Sequence, residues 1–219
     1  MKLLVLLLCL LALSCGKNTD TSATGAPAPT LSIAGDFNGD GTTETLIQDI
    51  ADSTGTAVKY IPETPAEIEN DTTNEGWYRY IEFYTNLNYR TRLRSEGLKT
   101  NVIYFGNSQG LYCLINVGNI NTTKGDEIAL VPDSLDQSRH NYCKIFTLCN
   151  GIWQQVFEFS VHEDAFDYKR GDVAILKNIP EALEFKDGQW KYLDYMDMPY
   201  ENIEDVGKML PLKVPGCNE

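Results

Sequence analysis

The sequence predicts a mainly β fold: an antiparallel β domain, arranged as a sandwich or as part of a propeller, with one or two short helices. Short apolar runs with alternating polarity recur along the chain and are bounded by turn residues. Asn150-Gly151 and Asp187-Gly188 each join two such runs, and both dipeptides favour the positive φ angles of two-residue hairpin turns. Helical periodicity is weak, so strands are expected to dominate.

The predicted strands begin with residues 31–33 and 46–47, which flank an acidic loop. Residues 77–84, with the sequence WYRYIEFY, are interpreted as an aromatic, alternating strand. The link at residues 106–110 is interpreted as a glycine-bounded hairpin turn. The remaining predicted strands cover residues 102–105, 111–117, 128–131, 142–149, 152–157, 183–186 and 189–192.

Helix signals are confined to two places. Thr64-Pro65-Ala66-Glu67 has the pattern of a capping box with proline at the first helical position. Residues 200–210 space their apolar side chains as one short helix would. Residues 62–76 are acidic and are expected to form an exposed loop.

The N-terminus has the pattern of an export signal. Lys2 precedes an apolar run over residues 3–13, which is too short to span a bilayer, and Ser14-Cys15-Gly16 follow. Residues 12–15 resemble the bacterial lipobox, in which the cysteine is lipid-modified and becomes the mature N-terminus. The alternative is ordinary signal cleavage with an incidental cysteine. The sequence thus predicts a lipoprotein signal peptide at 1–14, lipidation at Cys15, and a location in the bacterial cell envelope, on an outer-membrane lipid anchor facing out of the cytoplasm.

The next segment is small, polar and proline-containing. Residues 15–30 contain almost nothing to bury, so they are predicted to form a flexible tether. Residues 31–219 are predicted to form a single β-rich domain. The formal net charge of −13 disfavours nucleic acid and anionic membrane surfaces as partners, because both need clustered Lys and Arg. The predicted partners are the membrane, through the lipid anchor, and a protein or a glycan.

Four cysteines lie in the folded part: Cys113, Cys143, Cys149 and Cys217. They allow three pairings, among which the sequence does not choose. Cys143 and Cys149 share a strand face but lie too far apart to bond to each other. Cys113, on another apolar strand, could meet one of them, or these cysteines could remain buried thiols.

The acidic loop at residues 36–44 has oxygen-bearing side chains at every second position. Calcium prefers six or more oxygen ligands, and Asp36, Asn38, Asp40, the Thr42 carbonyl and Glu44 would supply them. Apolar residues of β character flank the run, so the loop is expected to connect two strands. An Asx-rich turn without metal is the alternative, since Asp, Asn and Gly favour turns on their own. Structural Ca²⁺ is the predicted cofactor.

The stretch from Gly35 to Gly41, GDFNGDG, resembles the loop of FG-GAP/VCBS-type repeats. Together with the GDEIALVP stretch at 125–132 and the Asn-Gly-x-Trp hairpin, it is similar to a family of uncharacterised bacterial lipoproteins with such loops. The resemblance implies a β architecture and a calcium site, and it implies no reaction.

A second loop aligns with the first without a gap. Asn119, Asn121 and Glu127 match Asp36, Asn38 and Glu44, whereas Thr123 stands where Asp40 would be and Lys124 stands in place of Gly41. A lysine brings a positive charge and removes a permissive glycine. We therefore expect this second loop to be degenerate and mostly free of metal.

The enzymatic alternatives have weaker support. Residues 106–110 fit G-x-S-x-G, with Ser108 as nucleophile and His140 or His162 as base, but the serine elbow needs a helix after the serine and the following residues are strand-like. His162-Glu163-Asp164 is a short cluster of candidate ligands without a zinc motif.

Two further alternatives involve carboxylates and aromatics. A carboxylate pair for glycoside hydrolysis is compatible with so acidic a chain, but no pair is distinguished. The aromatic residues of 77–84 could form a glycan-stacking platform, although core packing explains most of them. The sequence thus favours a membrane-anchored, calcium-stabilised binding or envelope-structural module without enzymatic activity, with an envelope hydrolase as the alternative.

Overall fold

The computed structural model describes residues 25–106, 108–121, 123–136, 138–166, 176–197 and 207–217. The predicted signal peptide and Cys15 lie outside these residues. The described chain is mainly β, as predicted, with antiparallel sheets and two helices. The strands are β1 (Gly25–Pro27), β2 (Leu31–Gly35), β3 (Glu44–Ala51), β4 (Tyr60–Pro62), β5 (Arg90–Glu96), β6 (Ile103–Phe105), β7 (Ser108–Gly118), β8 (Glu127–Ser134), β9 (His140–Cys149), β10 (Ile152–His162), β11 (Leu183–Lys186), β12 (Gln189–Tyr192) and β13 (Leu210–Pro211). The helices are α1 (Ala66–Glu69) and α2 (Asn74–Asn86), and 3-10 turns cover Glu163–Phe166 and Tyr195–Asp197.

Two four-stranded meanders form most of the domain. The first sheet has the order β2-β3-β5-β6, and the central sheet has the order β7-β8-β9-β10. Each therefore uses its strands in chain order, and each begins with a strand, an Asx-rich loop and a second strand. A third sheet has the order β11-β12-β13, and β1 pairs with β4 in a separate two-stranded ribbon.

The central sheet is buried on both faces. Its β8 residues Ile128 to Val131 are all fully buried, which explains why this run is continuously apolar instead of alternating. On one face, Leu114, Leu130 and other side chains pack against the first sheet. On the other face, Ile115 and its neighbours pack against the third sheet. The domain is thus a stack of three sheets with two apolar layers.

The two predicted hairpins are confirmed. Cys149 pairs with Ile152, and Lys186 pairs with Gln189. Both turn residues have positive φ in each case: 52° and 80° at Asn150-Gly151, and 54° and 76° at Asp187-Gly188. These values fit the turn that matches the right-handed twist of the flanking strands.

The interpretation of residues 77–84 as a strand is wrong, because they lie within α2. Thr73 caps this helix, since its hydroxyl accepts a hydrogen bond from the Gly76 amide at 3.1 Å. Helical spacing then aligns three aromatic side chains: Trp77 stacks on Tyr80 with ring centroids 5.4 Å apart, and Tyr80 contacts Tyr84 at 4.8 Å. The aromatic run is compatible with the alternation of a strand and with the spacing of a helix, and the Thr73 cap favours the helix.

Three further sequence predictions need correction. The predicted tether ends too late, because residues 25–27 form β1 and pair with β4. Residues 62–76 are only partly loop, since they include α1 and the start of α2. The Thr64 capping box does not form: Pro65 precedes α1 without a side-chain cap, and the Thr64 hydroxyl bonds to that of Tyr84 at 3.2 Å.

The predicted hairpin at residues 106–110 and the predicted C-terminal helix also differ from the structure. β6 belongs to the first sheet and β7 to the central sheet, so the link between them crosses from one sheet to the next. In the C-terminal region, residues 200–206 lie outside the described part of the chain, while Leu210–Pro211 form β13 and pair with β12.

One disulfide joins Cys149 to Cys217, with their Cα atoms 5.6 Å apart. It ties the end of β9 to the segment that follows β13. Cys113 and Cys143 are free, buried thiols, and burial raises the pKa of both. Cys113 does not pair with either of the other strand cysteines, because β8 lies between the strands that carry Cys113 and Cys143.

Candidate cation site

The acidic loop, residues 36–43, connects β2 to β3, as predicted. Gly35 and Glu44 are the last paired residues at its base. Gly39 and Gly41 adopt positive φ of 71° and 86°, a conformation that glycine accepts without strain. The loop therefore curls back on itself at the end of a rigid hairpin.

Side-chain oxygens of the loop accept hydrogen bonds from backbone amides of the same loop. The two carboxylate oxygens of Asp36 accept from the amides of Asp40 at 3.1 Å and Gly41 at 2.9 Å. Asn38 Oδ1 accepts from the Asp40 amide at 2.9 Å, and Asp40 accepts from the Thr42 amide at 2.7 Å. These bonds fix the side-chain oxygens of Asp36, Asn38 and Asp40 to the loop backbone without a bound ion.

Glu44 completes the cluster from the strand. Its side chain is buried, and Oε2 accepts from the Phe37 amide at 2.9 Å. One carboxylate oxygen each from Asp36, Asp40 and Glu44 lies within 4.8 Å of the other two. Within the described residues, none of the three carboxylates forms a salt bridge with Lys, Arg or His. Three converging negative charges without a cationic side chain suit a hard divalent ion.

The pKa of Asp40 is consistent with a divalent ion at this site. Hydrogen bonds from the Asn38 side chain and then from Thr42 lower the pKa of Asp40. The carboxylate is therefore ionised throughout the neutral range, as a calcium ligand must be. Asn38 and Thr42 lie in the loop with these carboxylates, so the oxygen-rich residue types predicted from the sequence fit a calcium ion.

The second loop, residues 119–126, has the same construction. It connects β7 to β8, with Gly118 and Glu127 paired at its base. The Ile120 amide donates to Glu127 Oε2 at 2.7 Å, as the Phe37 amide does to Glu44. The Thr123 amide donates to Asn121 Oδ1 at 2.6 Å, as the Asp40 amide does to Asn38. Two hydrogen bonds therefore occupy equivalent positions in the ungapped alignment of the two loops.

The chemistry of the second loop differs at its centre. Glu127 is fully buried, and its Oε1 accepts from two hydroxyls, Thr123 at 2.9 Å and Thr147 at 3.0 Å. Hydroxyl donors thus satisfy the charge that a cation would neutralise in the first loop. This arrangement gives a physical reason for the interpretation of the second loop as degenerate.

The two loops also contact each other. The Asp126 amide donates to the Asp36 carbonyl at 2.9 Å, and the Asp36 amide donates to the Asp126 carboxylate at 3.1 Å. A Cβ on Gly39 would lie 2.4 Å from that of Lys124. The acidic loop of the first sheet is therefore held by the second loop, which belongs to the central sheet.

The hydrolase residues are not arranged for catalysis. Ser108 is buried, its hydroxyl donates to the Phe105 carbonyl at 3.3 Å, and it opens strand β7 where the serine elbow needs a helix. His140 and His162 do meet, as a cross-strand pair with ring centroids 5.8 Å apart. Tyr195 contacts both rings, and His162 Nδ1 accepts from the Asp164 amide at 3.1 Å. Within the described residues, Ser108 forms neither a hydrogen bond nor a ring contact with this cluster.

A groove between α1, the β1–β4 ribbon and the start of β7 was not anticipated. It has a volume of about 980 Å³, and Glu63, Glu69, Tyr84 and Asp133 are among its lining residues. Nearby, Tyr112 lies close to Asp133 and Glu163; burial, followed by these two negative charges, raises the pKa of Tyr112. The acidity of residues 62–76 was the sequence signal for one wall of the groove. The opposite wall comes from strands that are distant in sequence.

The described helices do not include one long and apolar enough to cross a membrane. Comparison of the chain with protein-family models, with curated proteins and with solved structures found no match. The class of the protein is thus described by its fold and its two loops. It is a stacked antiparallel β domain with one carboxylate-rich loop and a second loop in which hydroxyls donate to the buried carboxylate.

Proposed function

We propose that the protein is a lipid-anchored lipoprotein of the bacterial cell envelope whose β domain is stabilised by calcium. In this proposal it acts as a non-enzymatic binding or structural module. The lipobox-like residues 12–15 support the anchor at Cys15, and the GDFNGDG loop supports kinship with FG-GAP-like calcium loops. A membrane anchor joined to a folded domain by a polar segment suits a protein that works at the envelope surface.

One observation carries the calcium proposal. Asp36, Asp40 and Glu44 converge at the end of a rigid hairpin, whereas in the second loop the Thr123 and Thr147 hydroxyls donate to Glu127, the counterpart of Glu44. The contrast between the loops is what a bound cation would explain, since like charges at close range need a counterion. Because the loop contacts the second loop, which belongs to the central sheet, the ion would act on stability and not on a reaction.

Calorimetry tests the calcium proposal. The melting temperature of the unlipidated chain should rise when chelator is replaced by millimolar calcium, because an ion that binds only the folded state contributes about 2.7 kcal/mol at a hundredfold excess over Kd. The Asp40→Asn variant should lose most of that rise. Equal melting temperatures in calcium and chelator for the parent chain would refute the metal site.

Labelling tests the anchor. Cells that express the full chain with radiolabelled palmitate should yield a labelled protein in the membrane fraction. The Cys15→Ala variant should be unlabelled and should leave that fraction. Membrane retention without label would favour a different mode of attachment.

A further inference from the structure

The groove described above, here called the acidic groove, lies between an inserted segment and the main body. Residues 52–89 leave the first sheet after β3 and return at β5, and they contribute β4, α1 and α2. One wall of the groove comes from this excursion, with Glu63 and Glu69, and the other comes from the central sheet, with Gln109, Leu111 and Asp133. Binding sites are frequent where an inserted unit meets a rigid scaffold.

The walls are held in place before any ligand binds. The Gln109 amide nitrogen donates to the Tyr80 hydroxyl at 2.7 Å, which joins β7 to α2. Tyr84 and Thr64 share a hydroxyl–hydroxyl bond at 3.2 Å. Four prolines also line the groove, at positions 27, 29, 62 and 65. Proline has little conformational freedom to lose, so binding against this surface has a low entropic cost.

The charges of the acidic groove have one sign. Glu63 and Glu69 are exposed, and neither is in a salt bridge within the described residues. Asp133 adds a third carboxylate, and the lining includes neither Lys nor Arg. The net charge of −13 adds a field of the same sign. The groove therefore favours a cationic occupant.

The remainder of the lining indicates a peptide. Ile61, Leu111 and the prolines form an apolar surface, and Tyr84, the aromatic residue of this groove, has its hydroxyl bonded to Thr64. A sugar chain would need exposed aromatic faces and many free polar groups, whereas an extended peptide needs apolar contacts and a few fixed charges. The groove is open to solvent, so an extended segment can enter it.

We propose that the acidic groove binds an extended, lysine- or arginine-bearing peptide segment of a partner protein, with its cationic side chains at Glu63 and Glu69. This assignment names a partner class for the binding role proposed above. It requires neither the calcium site nor the lipid anchor.

Fluorescence anisotropy with the full chain and a labelled peptide of five Ala-Lys repeats tests the proposal at low salt. Matched peptides with Glu or Gln in place of Lys should not bind. The Glu63→Gln/Glu69→Gln double variant should weaken binding by about fivefold, since each exposed ion pair contributes modestly. The control is Glu158→Gln/Glu181→Gln, which changes the net charge equally on β10 and before β11, at residues that do not line the groove, and it should weaken binding less than about twofold.

A second variant tests shape without changing charge. Ala66 is exposed on α1 and lines the groove, so Ala66→Trp should fill it and reduce binding while the circular dichroism spectrum stays unchanged. Equal weakening by both double variants, or no effect of Ala66→Trp, would overturn the proposal. Binding of a neutral N-acetylglucosamine hexamer in place of the cationic peptide would also overturn it. A calcium-dependent melting temperature, measured in parallel, reports on the loop site separately.

Discussion

Gly125 of the second loop approaches Phe37 of the first so closely that a Cβ on Gly125 would lie 2.0 Å from the Phe37 carbonyl oxygen. The contact is backbone against backbone, so no flexible side chain can move aside. Phe37 is itself fully buried and meets Trp153 edge to face, with ring centroids 5.8 Å apart. The two loops therefore lock the first sheet to the central sheet at one point.

Gly125→Ala should separate the loops and destabilise the protein. The added methyl group forces a backbone shift, and overpacking of this kind costs about 1–3 kcal/mol. Chemical denaturation measures the loss. Gly106→Ala is the matched control, because a Cβ there meets nothing within 4 Å; it should change the free energy of unfolding by less than about 0.5 kcal/mol. Similar effects of the two substitutions would contradict the proposed locking contact.

Thr147→Val should weaken the second loop. Valine keeps the shape of the side chain but removes a hydroxyl that donates to the buried Glu127 carboxylate. A hydrogen bond to a charged group contributes about 1.5–3 kcal/mol, and that loss should appear in urea unfolding. Thr45→Val, on a half-buried strand position, serves as the control and should be nearly neutral. A neutral Thr147→Val would mean that the hydroxyls do not sustain the Glu127 charge.

Asp49→Ala should be strongly destabilising. Asp49 is buried and accepts from Arg92 Nε at 2.5 Å and from Arg94 Nε at 3.1 Å. Its removal leaves two arginines without their shared counterion, which costs about 3 kcal/mol where the charges are poorly solvated. Glu96→Gln breaks only an exposed pair with Arg94 and should cost less than about 1 kcal/mol. A smaller loss for Asp49→Ala than for Glu96→Gln would show that the network contributes little.

Loss of the Cys149–Cys217 disulfide should lower stability by about 4 kcal/mol, because the bond closes a loop between residues 68 positions apart. Urea unfolding of the parent chain with and without reductant measures this difference. In the Cys217→Ser variant, reductant should have no further effect. A parent chain that is equally stable when reduced would contradict the expected role of the bond.

Acid should reduce stability. Hydrogen bonds lower the pKa of Asp40, Asp52 and Asp71 in the folded state. Their contribution is therefore complete above the unfolded-state value of about 4 and is lost as the pH falls through the lowered folded values. Melting curves in chelator between neutral pH and about pH 2.5 should show this decline. A melting temperature that stays constant or rises on acidification would contradict it.

The sequence by itself was sufficient where the signal is local. The Asn150-Gly151 and Asp187-Gly188 turns, their flanking strands and the position of the acidic loop between two strands all follow from residue types within a few positions. The spacing of Asp36, Asp40 and Glu44 likewise predicted that their carboxylates would converge, because a short loop leaves few conformations.

The tertiary structure decided what depends on distant residues. Residues 77–84 fit a strand or a helix, and the Thr73 cap together with packing of α2 against α1 selected the helix. The partner of Cys149 proved to be Cys217. Cys113 lies on β7, and β8 separates it from β9, the strand of both Cys143 and Cys149. The hydrogen bond to the buried Glu127 carboxylate comes from Thr147 on another strand, and the acidic groove needs walls from two parts of the chain. Long-range pairing brings these groups together, and no local pattern encodes it.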